Sequence, residues 1–185
     1  MAEAELDAKT IAACRRGDPG AQRAVFEHYK DRVYSIALHF MKGDDAAAQD
    51  VAQEVFVKAF RAAHSFREDA RLPTWLYRIV ANTCMDELRR RRRLLFFGDV
   101  PERLHPSVAP TEPREVHPDV AVAVGRLTPK LRIAVLLRYF DDLSYDEIAA
   151  ALGVTTGTVA SRLNRAHAFL ARELGHLAKT EHADA

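Results

Sequence analysis

The chain carries only two cysteines, Cys14 and Cys84. They lie far apart and form no CxxC or Cys–His spacing, which excludes a disulfide framework and a zinc finger as the organising device. No apolar run approaches the ~18 residues a membrane-spanning helix requires. The opening MAEAELDAKT lacks the basic start and apolar core of a secretion signal, so a reducing cytoplasm is the expected setting. A glycine-rich phosphate loop, a metal-ligating cluster and a nucleophile–base constellation are also missing. No catalytic residue, metal, cofactor or small-molecule substrate is expected. An excess of one charge sign is lacking too: 27 Lys and Arg stand against 26 Asp and Glu.

What is present is apolar mass with a helical period. Of the 185 residues, 48% are hydrophobic, enough to bury a core without staples in one domain or two small ones. The balanced total hides an uneven distribution. Asp44, Asp45, Asp50 and Glu54 gather in one stretch, whereas Arg89 to Arg93 is an unbroken run of arginine. One surface suits a protein and another DNA.

The stretch LSYDEIAAALGVTTGTVASRLNRAHAFL, Leu143 to Leu170, is the most informative. Ser144 and Glu147 have the spacing of a capping box, Ile148, Ala149 and Leu152 supply an apolar stripe, and Gly153 stands where a chain leaves a helix. Thr155 caps a second helix, on which Val159, Leu163, Ala166 and Leu170 form the buried face. Thr158, Ser161, Arg162, Arg165 and Arg172 fall on the opposite side, and no acidic residue occurs between Val154 and Arg172. A short helix, a glycine turn and a helix with a polar, arginine-bearing face form a helix-turn-helix that suits the DNA major groove. Two packed helices with a solvated basic face are the plain alternative.

Upstream, Leu6 to Arg16 forms a short helix, and Asp18–Pro19 starts a long one through about Lys42. Gly43 interrupts it, and Asp44 or Asp45 caps the next, with Ala48, Val51, Ala52, Val55, Ala59 and Ala62 inward. Asp50, Gln53, Glu54 and Val57 face out. That face either docks on a partner helix or is simply solvated. His64 to Arg71 reads as a loop, and Leu72 to Arg93 as a helix burying Leu76, Ile79, Val80 and Thr83, with Asn82 close to the buried face. The five arginines that end it exceed what a helix dipole needs and suit phosphate. Four prolines and a glycine mark 94–117 as a linker, whose Leu94, Leu95, Phe96 and Phe97 either extend the preceding helix or touch a partner. Pro118 and Thr128–Pro129 then start two helices that complete a four-helix unit with the helix-turn-helix.

The segments FEHYKDRVYSIALHF, DVAQEVFVKAFRA and LPTWLYRIVANTCMDELRRRR, followed by LTPKLRIAVLLRYFDDLSYDEIAAALGVTTGTVASRLNRA, resemble the bacterial RNA polymerase sigma factors. Within the sigma-70 superfamily the resemblance is to the small extracytoplasmic-function group, over about Ala21 to Arg93 and Pro118 to Leu170. It implies an all-α chain of two small helical domains joined by a flexible linker, the second ending in the helix-turn-helix. Residues 1–93 correspond to sigma region 2, 94–117 to the linker, 118–174 to region 4 and 175–185 to a tail. The resemblance implies a non-enzymatic factor that binds core RNA polymerase and directs initiation at promoter DNA, restrained by an anti-sigma factor. Asp50, Gln53, Glu54 and Val57 are then the polymerase-binding face. Phe66, Arg67, Asn82, Arg89 and Arg90 are the minus-ten contacts, and Thr155, Thr156, Thr158, Ser161, Arg162 and Arg165 the minus-thirty-five contacts. Ala160 and His167 depart from the group's pattern, so the promoter sequence does not transfer. The other reading is a free-standing helix-turn-helix regulator, which needs a dimerisation or ligand-binding domain in the first half.

Overall fold

The computed structural model describes residues 6–66, 71–97 and 116–175, with side chains in the last turn of the helix ending at Phe97 described as far as Leu94. Arg67, most of the expected linker and most of the expected tail lie outside these residues. Eight α-helices and no strand occur among the described residues: α1 (Ala8–Arg15), α2 (Pro19–Phe40), α3 (Asp45–Ala62), α4 (Leu72–Phe97), α5 (Pro118–Arg126), α6 (Pro129–Phe140), α7 (Tyr145–Leu152) and α8 (Thr156–Leu174). A 3₁₀ turn, Ala63–Ser65, follows α3.

Local chemistry explains where most helices start. Asp18 accepts the Ala21 amide and Asp44 the Ala47 amide, each satisfying a donor that the first turn leaves open. Ser144 and Glu147 form the reciprocal capping box that starts α7, and Thr155 accepts from the Thr158 amide to start α8. Gly153 turns the chain between them at φ 63°, a left-handed conformation that glycine adopts without a Cβ penalty. Thr128 stands at the start of α6 but makes no side-chain cap; its carbonyl receives the Leu131 and Arg132 amides.

Helix α4 does not stop at Arg93. It runs through LLFF to Phe97, because nothing in the arginine run or the apolar residues after it breaks a helix. The first bundle packs α2, α3 and α4 around Val33, Ile36, Phe40, Val51, Val55, Leu76 and Val80. In the second, α8 lies across α5, α6 and α7 around Ile133, Leu136, Leu137, Ile148, Val159 and Leu163. The two bundles share one continuous apolar core, with α2 against α6 and α4 against α7.

One buried cation organises this seam. Arg132, 3% exposed, donates to the carbonyls of Val124 (3.2 Å), Gly125 (2.6 Å) and Leu127 (2.8 Å), and to that of Phe40 (2.7 Å). Three of these carbonyls lie at the end of α5, where that of Val124 also accepts the Leu127 amide at 3.1 Å, and the fourth ends α2, so one guanidinium binds end carbonyls of two helices from different bundles. Its central carbon also sits 5.5 Å from the centre of the Phe40 ring. Burial lowers the Arg132 pKa, yet arginine stays charged at any working pH. Nearby, Asp141 at the end of α6 points into the seam, 3.6 Å from Arg32 Nε and facing the Tyr77 hydroxyl. Burial first, and then that carboxylate, push Tyr77 well above the usual tyrosine range.

Replacing Arg132 with methionine leaves four carbonyls without their charged donor. A drop in stability of about 3 kcal/mol or more is expected by urea denaturation. Arg132→Lys should recover only part of it, since a point ammonium cannot fork to acceptors on both sides.

Candidate polymerase and nucleic-acid interfaces

The outward stripe of α3 is assembled as its spacing predicts. Gln53, Glu54 and Val57 are exposed, Asp50 is half-buried, and Val57 keeps 40% of its surface in solvent at the middle of the stripe. With Glu87 and Arg90 from α4 they line one shallow depression. Glu54 pairs with Lys58 one turn along, at 2.8 Å. The inward face differs in one respect: Phe56 is buried and meets Phe26 edge-on, whereas Ala52 and Ala62 are only half-buried. The result is an acidic, amide-bearing surface with an apolar centre, which can pack on a partner helix that brings basic residues.

The outer face of α8 is also available. Val159, Leu163 and Ala166 are buried, while Thr155, Thr156 and Arg165 are exposed and Thr158, Ser161 and Arg162 half-exposed. Local contacts pre-arrange several of these groups. Thr156 donates to Asp146 at 2.8 Å, Arg165 donates to the Ser161 hydroxyl at 2.7 Å, and the Thr155 and Thr158 hydroxyls meet at 2.9 Å. His167 lies 2.7 Å from the Tyr139 hydroxyl, which ties α8 to α6.

The structure separates the residues of the third group. Asn82 is exposed, not close to the buried face as its sequence position suggests. Phe66 is a core residue: 4% exposed, with its ring centre 5.3 Å from that of Trp75. It anchors the foot of the loop instead of offering its ring to DNA. Arg89 pairs with Asp86 at 2.9 Å, and Arg90 holds Glu87 through two bonds of 2.7 and 3.0 Å. Both are therefore engaged with acidic residues one turn earlier while keeping 68% and 44% of their side chains exposed, so a phosphate would compete with these surface pairs. Arg91 bridges Glu87 (2.8 Å) and Asp44 (2.7 Å), joining α4 to the start of α3. The Glu87 side chain, 5% exposed, is thus enclosed between two arginines.

Two protein-family models match the chain: Sigma-70 region 2 over residues 25–94 and Sigma-70, region 4 over residues 119–170. The chain is 33% identical to the RNA polymerase sigma-H factor of Pseudomonas aeruginosa, over 94% of this chain and 96% of that protein. It is 36% identical to the ECF RNA polymerase sigma factor SigM of Mycobacterium tuberculosis, over 92% of this chain and 86% of the relative. The chain belongs to the extracytoplasmic-function group of sigma-70 factors. Its fold is also similar to that of the sigma factor RpoE from Bartonella quintana, solved in complex with the anti-sigma factor NepR. That match has a TM-score of 0.67 and 25% identity, covering 83% of this chain and 96% of that one.

In this sigma factor two exposed cations, Arg71 and Arg78, tie the start of α4 to α7 on the side of Asn82. Arg71 donates to Glu147 at 2.6 Å, and Arg78 to the Ala150 carbonyl at 2.6 Å. The four-residue spacing of Arg78 and Asn82 puts those two on one side of α4, and Arg71 directly precedes that helix. Burial opposes ionisation of Glu147, but the Ser144 amide and hydroxyl and the Arg71 guanidinium together hold its pKa below the usual carboxylate value.

Neither cysteine of the sigma factor is placed to react. Both are buried; burial raises the Cys14 thiol and pushes Cys84 up to about 12. Titration with a thiol reagent at pH 8 should find neither available in the native chain and both available in denaturant. Rapid native modification of Cys84 would contradict its burial.

Proposed function

We propose that this sigma factor divides its work among three surfaces. The factor binds core RNA polymerase and directs initiation at promoters. On our reading it docks through Asp50, Gln53, Glu54 and Val57 of α3, reads the minus-thirty-five element with Thr155, Thr156, Thr158, Ser161, Arg162 and Arg165 of α8, and meets the minus-ten strand with Asn82 on α4. Residues 1–93 then act as the polymerase-binding and strand-opening unit and 118–174 as the upstream reader. The observation that carries this reading is the pairing, in one chain, of an acidic docking stripe centred on exposed Val57 with a recognition helix whose outer face holds arginine and hydroxyl groups.

The chemistry of each surface fits its task. Hydroxyls and guanidinium groups at the start of a recognition helix reach base edges and phosphates in the major groove. An exposed asparagine can capture a base that strand opening has unstacked, and the unstacking cost confines opening to sequences that fit. Among the described residues no cluster of His, Cys, Asp or Glu could hold a metal. Catalysis in this scheme belongs to the polymerase, and the factor itself is not an enzyme. No helix among the described residues is long and apolar enough to cross a membrane, and the polymerase and promoter place its work in the cytoplasm. An anti-sigma factor is the expected restraint.

Reversing Asp50 and Glu54 to lysine should abolish co-elution with bacterial core RNA polymerase while leaving helical content unchanged; retained co-elution would refute the docking face. Replacing Arg162 and Arg165 with alanine should leave co-elution intact and weaken promoter binding by about 1–3 kcal/mol for each guanidinium that hydrogen-bonds a base edge.

A further inference from the structure

Helix α1 carries none of the three partner surfaces, yet its packing bears on one of them. Asp7 accepts the Thr10 amide at 2.8 Å and starts the helix. Ile11 and Cys14, three residues apart, share its inner face, with Cys14 buried and Ile11 half-buried against the core. The helix packs on α2 and on the 3₁₀ turn Ala63–Ser65, which leads directly into Phe66.

That inner face reaches both feet of the connection from α3 to α4. At the first foot the Phe66 amide donates to the Ala63 carbonyl at 3.1 Å, and the Ser65 hydroxyl to the Ala62 carbonyl at 2.7 Å. At the second the Trp75 amide donates to the Arg71 carbonyl at 3.2 Å. The feet meet through the rings of Phe66 and Trp75, whose centres are 5.3 Å apart. Ile11 and Cys14 close over them, leaving with Phe66, Leu72 and Trp75 a cavity of only about 10 Å³. Contact this close transmits small displacements, because packed side chains have little room to relax.

The position of the feet matters for reading a base. Trp75 precedes Asn82 by seven residues, two turns of α4, and so lies on the same side of that helix. A group that captures an unstacked base must be held to within about 0.5 Å of its working position. A short connection whose two ends are fixed follows its ends, so whatever places the Phe66–Trp75 pair also places the residues beside Asn82.

We infer that Ile11 and Cys14 of α1 are positioning residues for base capture, acting through the Phe66–Trp75 pair on the connection between Phe66 and Arg71. This rests on the sigma-factor reading for the identity of the ligand, an unstacked base of the minus-ten strand. If α1 only added apolar area to the bundle, truncating it would lower stability and leave base discrimination untouched.

The full chain is compared with Ile11→Ala, with the conservative Ile11→Val, and with Ile36→Val as a control. Ile36 is fully buried in the same bundle, about 16 Å along α2 from the cavity-lining Val25. Helical content is checked by circular dichroism, and Cys14→Ala replaces Ile11→Ala should the latter lose it. Trp75 is the chain's single tryptophan, so acrylamide quenching of its fluorescence reports the anchor directly. Discrimination is read by sequencing what each chain retains from two DNA pools, forked duplexes with a randomised single-stranded arm and fully paired duplexes of randomised sequence. Both selections are run with and without core polymerase, alongside co-elution.

Ile11→Ala should raise the quenching constant about twofold as the anchor loosens. It should reduce preference for the favoured base at the most discriminated arm position about fivefold, while preferences in the paired pool and co-elution stay as in the wild type. Ile11→Val and Ile36→Val should keep wild-type discrimination. Unchanged quenching in Ile11→Ala, or wild-type arm discrimination despite raised quenching, overturns the inference. An equal loss in Ile36→Val or in the paired pool also overturns it, since the effect would then be general destabilisation. A wild type that neither co-elutes nor prefers any base in the arm refutes the sigma-factor reading together with the inference. One that does both, with a preference indifferent to Ile11→Ala, refutes the positioning role alone.

Discussion

The seam between the two bundles depends on a single guanidinium. Arg132 enters from α6 and ends two other helices at once, because the last carbonyls of α2 and α5 converge on it. Helix ends that meet in a core raise a specific difficulty: their acceptors cannot reach water, and an unsatisfied buried carbonyl costs free energy comparable to a broken hydrogen bond. A planar cation with five donors resolves it where a hydroxyl or amide would not. The second bundle can therefore lie on the first through apolar packing without leaving polar backbone stranded, and α7 reaches α4 as a consequence of that placement.

Charge in this protein is satisfied locally before it is offered to partners. Within the arginine run, Arg89, Arg90 and Arg91 return to Asp86 and Glu87 on their own helix, and Arg91 also reaches Asp44. Three of the five arginines that look like a phosphate site in one dimension are paired with carboxylates in three. The surfaces proposed for partners are less conspicuous: a stripe around Val57 on α3, hydroxyls and two arginines on α8, and Asn82 on α4. Each is built on a rigid helix whose opposite face is core. The proposed contacts thus sit on elements that packing has already fixed.

Much of the architecture was legible because the interactions that set it are short in sequence. Asp18 before Pro19, Asp44, Ser144 with Glu147, Gly153 and Thr155 each act within about three residues of themselves, so pattern reading finds them. The buried faces of α2 and α8 follow from period alone. The end of α4 was less legible, since Leu94 to Phe97 carry neither glycine nor proline and the helix simply continues. Phe66 was misplaced because a loop aromatic has the same sequence signature whether it faces DNA or folds back onto Trp75. The pairing of Arg89 and Arg90 with Asp86 and Glu87 is encoded in the spacing of three residues.

Eight helices, the caps of α2, α3, α7 and α8, the helix-turn-helix and the polar faces on α3 and α8 are readable in the chain alone, because a helix is specified by propensity, period and capping within a few residues. Which of those charges remain available depends on contacts made only after the helices pack. Arg132 meets Phe40 across 92 positions, Arg71 meets Glu147 across 76 and Arg78 meets Ala150 across 72. No local pattern encodes such pairings. They exist because burial of two apolar faces brings distant helices together, and the polar groups at the margin must then find partners in each other or in water.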